Sequence, residues 1–298
     1  MPFKAFLDYL QLEKKYSPHT IVSYSADLNA FLDFCKEHYE LSEIDMVNYS
    51  VIRSWIVSLV DQGISNRSVN RKIASLKAYY KFLLKTEQIH ENPLLKHKAL
   101  KVPKKVEVPF SEQEMEYMFV SVPFKDDFEG RRNKLIIELF YATGMRRSEL
   151  INLKMQDVDF SSGTIKILGK RNKERIVPLL ASVLDKIKEY LEYKEGVESS
   201  VSGDFLFLLK NGNKIYETLV YRVINTYFSM ASSKAKKSPH ILRHTFATHM
   251  LSQGADLNSV KELLGHASLA STQVYTHNSI SELKKAYQNA HPRNKSNS

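Results

Sequence analysis

Apolar residues in the N-terminal third recur with the spacing of amphipathic helices rather than strands. Phe3, Phe6, Leu7 and Leu10 follow the i, i+3, i+4, i+7 pattern of one helical face. A second helix opens at Ser17, an N-cap residue, with Pro18 at the first helical position, and its stripe is Ile21, Tyr24, Leu28, Phe31 and Cys35. A third segment carries Ile52, Trp55, Ile56 and Leu59 before Gly63 stops it. A fourth runs from about Ser65 to Thr86 with Val69, Ile73, Leu76, Tyr80 and Leu83 inside. Residues 1–91 therefore read as a small all-helical domain.

Between Asn92 and Pro109 the pattern lapses. The stretch NPLLKHKALKVPKKVEVP combines three prolines with a run of lysines and has neither helical nor strand period, so 92–109 reads as a basic, extended linker. A second domain, 110–298, opens on Ser111 and Glu114 in capping-box spacing. Leu135, Leu139 and Ala142 mark a helix that ends at Gly144, and a short helix follows from Ser148 to Leu153. The period then changes to two: from Gly163 to Leu179 apolar and polar residues alternate on both sides of a basic turn, which predicts a β-hairpin or small antiparallel sheet. Further helices are predicted at about 181–194, 217–231, 239–253, 257–264, 268–276 and 279–289. The last of these presents Leu283, Ala286 and Tyr287, a face suited to its own domain or to a neighbouring protomer. The fold class is mainly α with one small antiparallel sheet.

Charge narrows the partners. The 298 residues hold 43 Lys and Arg against 33 Asp and Glu, a net charge of +10, which favours a polyanion, nucleic acid first. The fourth helix concentrates part of this charge in Arg67, Arg71, Lys72, Lys77, Lys81 and Lys85, a face suited either to solvent or to a phosphate backbone. The single cysteine, Cys35, excludes an internal disulfide and reads as core filler in a reducing compartment. Lys4 and Asp8 interrupt the N-terminus, and no apolar run approaches a membrane span. A soluble, cytoplasmic protein with no membrane association is expected.

Four segments gather polar groups in apolar surroundings: ATGMRRSEL at 142–150, GKRNKER at 169–175, HILRH at 240–244 and LGHASLASTQVYTH at 264–277. Each has an ordinary explanation by itself. Arg146, like Arg147 beside it, suits a helix C-cap, His240 a buried core position, His266 a surface cap, and Tyr275 a core or interface position. The i, i+4 pair His240 and His244 has zinc-ligand spacing, but no cysteine or nearby acid completes a ligand set, and the surrounding Arg243, Lys234, Lys236 and Lys237 repel a cation. No metal or cofactor is implied.

Together the same residues fit one chemistry. A phenol is a weak nucleophile with an ordinary pKa near about 10, so its attack on a phosphodiester needs a proton acceptor and cations on the non-bridging oxygens. Two arginines hold those oxygens as fixed forks, and histidines add hydrogen bonds and proton transfer. A lysine on a hairpin turn, surrounded by other cations, supplies the proton that the leaving 5′-oxygen needs.

Over essentially its whole length the sequence resembles the Xer branch of the tyrosine recombinases. The resemblance implies a SAM-like core-binding domain, carried by SPHTIVSYSADLNAFLDF and SVNRKIASLKAYYKFLL, ahead of the tyrosine recombinase catalytic fold. It assigns the arginines to Arg146 and Arg243, the hairpin lysine to Lys170 with Lys173 as rival, the histidines to His240 and His266, and the nucleophile to Tyr275. It also makes Arg67, Arg71, Lys77 and Lys173 expected DNA contacts. The implied activity is strand cleavage and rejoining through a 3′-phosphotyrosyl intermediate and a Holliday junction, on double-stranded DNA bearing a dif-like site. The implied assembly is a homotetramer, or a heterotetramer with a paralogous recombinase, resolving chromosome dimers during cell division under an FtsK-type translocase. A phage or transposon integrase shares the same residues, a type IB topoisomerase a similar set, and a DNA-binding protein with idle residues is the alternative of another class.

Overall fold

The computed structural model describes residues 3–103, 107–169, 172–234, 236–265 and 277–295. The chain divides into two compact units, residues 1–105 and 106–298, each with its own apolar core.

In the first unit, α1 (Lys4–Asp8) widens into a π-helical turn, Tyr9–Glu13, and Phe6 and Leu10 are buried along it. Helix α2 (Pro18–Tyr39) starts where the Ser17 hydroxyl accepts from the Thr20 N–H at 3.3 Å, and α4 (Asn66–Lys85) starts likewise at Ser65. Helix α3 (Tyr49–Asp61) is capped by Asn48, whose side chain accepts from the Val51 N–H. Leu28, Phe31, Ile52, Leu76 and Tyr80 are fully buried between the helices, and the Phe31 and Trp55 rings meet at 4.9 Å. Each such side chain contributes roughly 1.5–3 kcal/mol. Cys35 lies in the same core, and burial pushes its thiol up to about 11, as suits core filler.

The start of the segment read as a linker is held by this unit. Leu94 is fully buried, and the Asn70 amide exchanges two hydrogen bonds of 2.9 Å with the backbone of Leu100. Asn66 donates to the Lys101 carbonyl, and the Tyr49 hydroxyl bonds His97.

The second unit opens with α5 (Glu112–Val120), whose Ser111–Glu114 capping box is complete. Helix α6 (Phe128–Thr143), capped by Asp127, ends at Gly144 with φ of 58°. Only glycine suits that turn: a Cβ there would lie 2.5 Å from the Phe246 ring. The short α7 (Arg147–Ile151) leads into an antiparallel sheet of order β1-β2-β3: β1 (Val158–Asp159), β2 (Thr164–Leu168) and β3 (Glu174–Pro178). The register pairs Ile165 with Val177 and Ile167 with Arg175, so Arg175 occupies the buried face of the strand while Ile176 is only half-buried.

Helices α8 (Ala181–Glu195), α9 (Glu217–Ala231), α10 (Pro239–Ser252) and α11 (Leu257–Leu264) follow, and α12 (His277–Ala290) and α13 (Pro292–Lys295) close the chain. Leu283, Tyr287 and Ala290 of α12 are buried in this unit's own core, and the Tyr287 hydroxyl donates to the Ala142 carbonyl at 2.9 Å. In this structure that helix therefore packs on its own domain. The helix expected at 268–276 lies outside the described residues. Among the described residues no helix is long and apolar enough to cross a membrane.

Candidate active site

Arg146 sits where α6 has ended and α7 begins. It is the residue before the first turn of α7, in extended conformation, and Glu149 three positions on reaches back to it. The Glu149 carboxylate accepts from the Arg146 backbone N–H at 2.8 Å and from its Nη1 at 2.7 Å. The Arg146 side chain is 31% exposed, whereas that of Glu149 is 3% exposed. Arg147 points elsewhere and pairs with Glu217.

A second arginine closes on the same carboxylate. Arg175, from β3, grips Glu149 with both terminal nitrogens, at 3.1 and 2.7 Å, and is itself buried. Its Nε donates to the Leu263 carbonyl at the end of α11, at 2.8 Å. Burial by itself would raise the Glu149 pKa, but the bonds and charge of Arg175, joined by those of Arg146, hold it down at about 2.

Arg243 arrives from α10. It stands one turn after His240, on a helix begun by Pro239, and is half-buried. Its Nη1 donates to the Gly144 carbonyl at 2.6 Å and its Nη2 to the Leu264 carbonyl at 2.7 Å. Burial, then the charges of Arg146 and Arg175, lower its pKa to about 10. Two guanidiniums thus share one carboxylate and a third, Arg243, stands beside them on backbone carbonyls, a partly buried surplus of positive charge that an anion would neutralise.

Two of those arginines also finish α11. The carbonyls of Leu263 and Leu264, left without helical partners, are taken by Arg175 and Arg243. The helix stops at Gly265, with φ of 62°, against the Arg175 side chain: a Cβ at 265 would lie 3.1 Å from its Cδ.

The structure therefore brings Arg146 and Arg243 together. It places His240 and His244 exposed on α10 and Lys173 exposed at the foot of β3, where the Lys173 carbonyl accepts from Gly169 N–H at 2.7 Å. Lys170, His266 and Tyr275 lie outside the described residues. On α4, Arg67 and Lys77 are exposed, while Arg71 forks onto Asp27 at 2.5 and 2.9 Å. Lys72 and the Ser75 hydroxyl bind the same carboxylate, which is 1% exposed.

Three participants escaped sequence reasoning: Asp27, the pairing role of Glu149, and Arg175. Asp27 had a signal, since it falls three after Tyr24 and four before Phe31, on the apolar stripe of its helix. Arg175 had a weaker one: the alternation IVP beside it leaves open which residue faces inward until the register is known.

The family model described as "Phage integrase family" matches residues 112–282, and the one described as "Phage integrase, N-terminal SAM-like domain" matches 3–87. The chain is 40% identical over 291 residues to the tyrosine recombinase XerC of Anoxybacillus flavithermus, covering 97% of this chain and 96% of that protein. It is 40% identical over 293 residues to XerC of Staphylococcus aureus, covering 98% and 97%. Among solved structures it is similar to the XerH site-specific recombinase bound to a palindromic difH substrate in a post-cleavage complex. That match has a TM-score of 0.73 and 25% identity, and covers 92% of this chain and 81% of the other.

Proposed function

The chain belongs to the phage integrase family and is a Xer-type site-specific tyrosine recombinase, which cuts and rejoins DNA; on that premise we propose that Tyr275 is its nucleophile. The Tyr275 phenolate attacks a scissile phosphate, forms a 3′-phosphotyrosyl ester and expels the 5′-oxygen, which leaves as a hydroxyl. The 5′-hydroxyl of a partner strand then displaces the tyrosine. Because the ester conserves the energy of the broken bond, resealing needs no nucleotide.

Arg146 and Arg243 hold the non-bridging oxygens, His240 and His266 donate hydrogen bonds and move protons, and Lys170 protonates the leaving oxygen, with Lys173 as its rival. The observation that carries this reading is the convergence of Arg146 and Arg243 around one buried carboxylate. Burial, and then repulsion by Arg146 and Arg175, lower the Arg243 pKa, and a phosphate that enters relieves the repulsion. Arg67, Arg71, Lys77 and Lys173 follow the DNA backbone.

The substrate we assign is double-stranded DNA with a dif-like site, bound by four protomers, in the cytoplasm. The complex of XerH with difH supports the site. The relatives named XerC support the role of a recombinase that, with itself or with a paralogue, resolves chromosome dimers under an FtsK-type translocase. The test is trapping on a nicked suicide duplex carrying the dif-like palindrome of the source genome. Wild type should form a covalent protein–DNA adduct, and Tyr275→Phe none. An adduct with the Phe variant would overturn the nucleophile, and no adduct with wild type would favour a DNA-binding protein whose residues are idle.

A further inference from the structure

Arg175 stands outside the set of groups that the reaction requires, yet it is the most enclosed cation near them. Strand β3 places it opposite Ile167, on the face that otherwise receives apolar side chains. A hydrophobic residue of similar volume would serve stability there at least as well, because a buried ion pair seldom recovers more than it loses in desolvation. The three nitrogens of the guanidinium are all engaged, and between them they reach two parts of the candidate site. Nη1 and Nη2 hold Glu149, the carboxylate that also holds Arg146, and Nε holds the Leu263 carbonyl. The next carbonyl along, Leu264, belongs to Arg243. In sequence His266 follows directly on Gly265, and the strand that carries Arg175 begins directly after Lys173.

We propose that Arg175 is a positioning residue for strand cleavage: it aligns Arg146 through Glu149 and fixes the end of α11 that Arg243 and the segment leading to His266 share. The inference rests on the reading of Arg146 and Arg243 as the phosphate clamp. Geometry makes the role specific to arginine. A planar fork with a third N–H satisfies a carboxylate and a carbonyl at once, whereas a lysine ammonium in the same place is a single point donor that cannot span both. The clamp that results is fixed before DNA arrives, so no reorganisation is needed as charge develops on the phosphate.

The experiment uses the full chain and nicked duplexes bearing the dif-like palindrome of the source genome, with either oxygen or sulfur at the 5′ leaving position. Dissociation constants come from fluorescence anisotropy and single-turnover cleavage rates from adduct formation at saturating DNA. Arg175→Lys is expected to bind DNA within about threefold of wild type, since the charge remains, and to cleave about a hundredfold more slowly, the cost of a clamp misplaced by about an ångström. Sulfur should rescue Lys170→Ala, which lacks the proton donor, and leave Arg175→Lys slow. Arg175→Met, whose side chain fills the space while Glu149 retains Arg146, is the second variant, and thermal melts accompany both.

Cleavage at the wild-type rate by either folded variant would overturn the inference. Rescue of Arg175→Lys by sulfur would also overturn it, by showing that the residue acts through the hairpin lysine. Melts that find both variants unfolded would assign Arg175 to the core alone. A wild type that forms no adduct would remove the clamp reading itself, and the inference with it, an outcome distinct from a working wild type beside a working Arg175→Lys.

Discussion

Each unit of the molecule buries a carboxylate among basic side chains, Asp27 in the first and Glu149, in addition to Glu138, in the second, and Asp27 and Glu149 are used differently. In the first unit Asp27 faces Arg71, Lys72 and Ser75, but the Arg71 side chain is 53% exposed and Lys72 is half-buried. The network is a peg at the edge of a helical core, and its cations keep contact with water. In the second unit the Glu149 network goes inward. Arg175 is 4% exposed, and Arg243, whose bonds go to two carbonyls, adds charge beside it without a carboxylate of its own. The difference teaches what each unit needs from its cations. On the proposed roles, a face that follows DNA can leave its cations hydrated, whereas a site that stabilises charge at one phosphate must hold them dry and in place.

The comparison breaks most sharply on removal of each carboxylate's charge. Glu149→Gln leaves Arg175 buried without its counter-charge and should cost roughly 3–5 kcal/mol. Asp27→Asn leaves cations that water can reach and should cost roughly 1–3 kcal/mol. Trp55, the one tryptophan, lies in the core of the first unit, so its fluorescence in a urea titration follows that unit while circular dichroism follows both. Asp27→Asn should move the fluorescence midpoint and Glu149→Gln mainly the remainder of the dichroism signal. Equal shifts of the Trp55 signal by both substitutions would mean that the two networks are not separate.

Acid sharpens the same contrast. The Glu149 pKa is lowered from 4.5 to about 2, so its ionised form is favoured by folding: the stabilisation is present above about pH 4.5 and is lost as pH falls towards 2. Glu114, held at about 2 by Lys234, Ser232 and the Ser111 N–H against the opposing effect of burial, is lost over the same window. The stability gap between wild type and Glu149→Gln should therefore close between about pH 4.5 and 2. A gap that persists at the acid end would show that the glutamine acts through packing rather than charge.

The smallest effects belong to α4, the helix proposed to follow DNA. Arg67→Ala and Lys77→Ala should each weaken binding evenly across sequences and reduce the salt slope of the affinity by about 0.9, measured by anisotropy over roughly 50–200 mM salt. Arg71→Ala should change the slope less, because Asp27 already neutralises that guanidinium. A full unit of slope from Arg71 would mean that it leaves Asp27 for a phosphate when DNA binds.

Periodicity and capping chemistry determined much of this protein by themselves. Ser17, Ser65 and Ser111 start helices where the pattern says they should, Gly144 ends one, and the change to a period of two marks the sheet. These signals are local, written within a few residues of where they act, which is why they are legible in one dimension. Arg146 and Arg243, which the structure brings together, were singled out in the same way, through residue types whose combined chemistry is restrictive. What only the tertiary structure decided is who holds them. Glu149 and Arg175 lie 26 positions apart, and Arg175 and Leu263 lie 88 apart. Their meeting depends on a strand register that turns an arginine inward in place of the neighbouring isoleucine, and on α11 ending against that arginine. Asp27 likewise looks like a flaw in an apolar stripe until α4 brings Arg71, Lys72 and Ser75 to it. A buried charge is stable only with its partners, and those partners are chosen by the approach of distant segments, which no local pattern records.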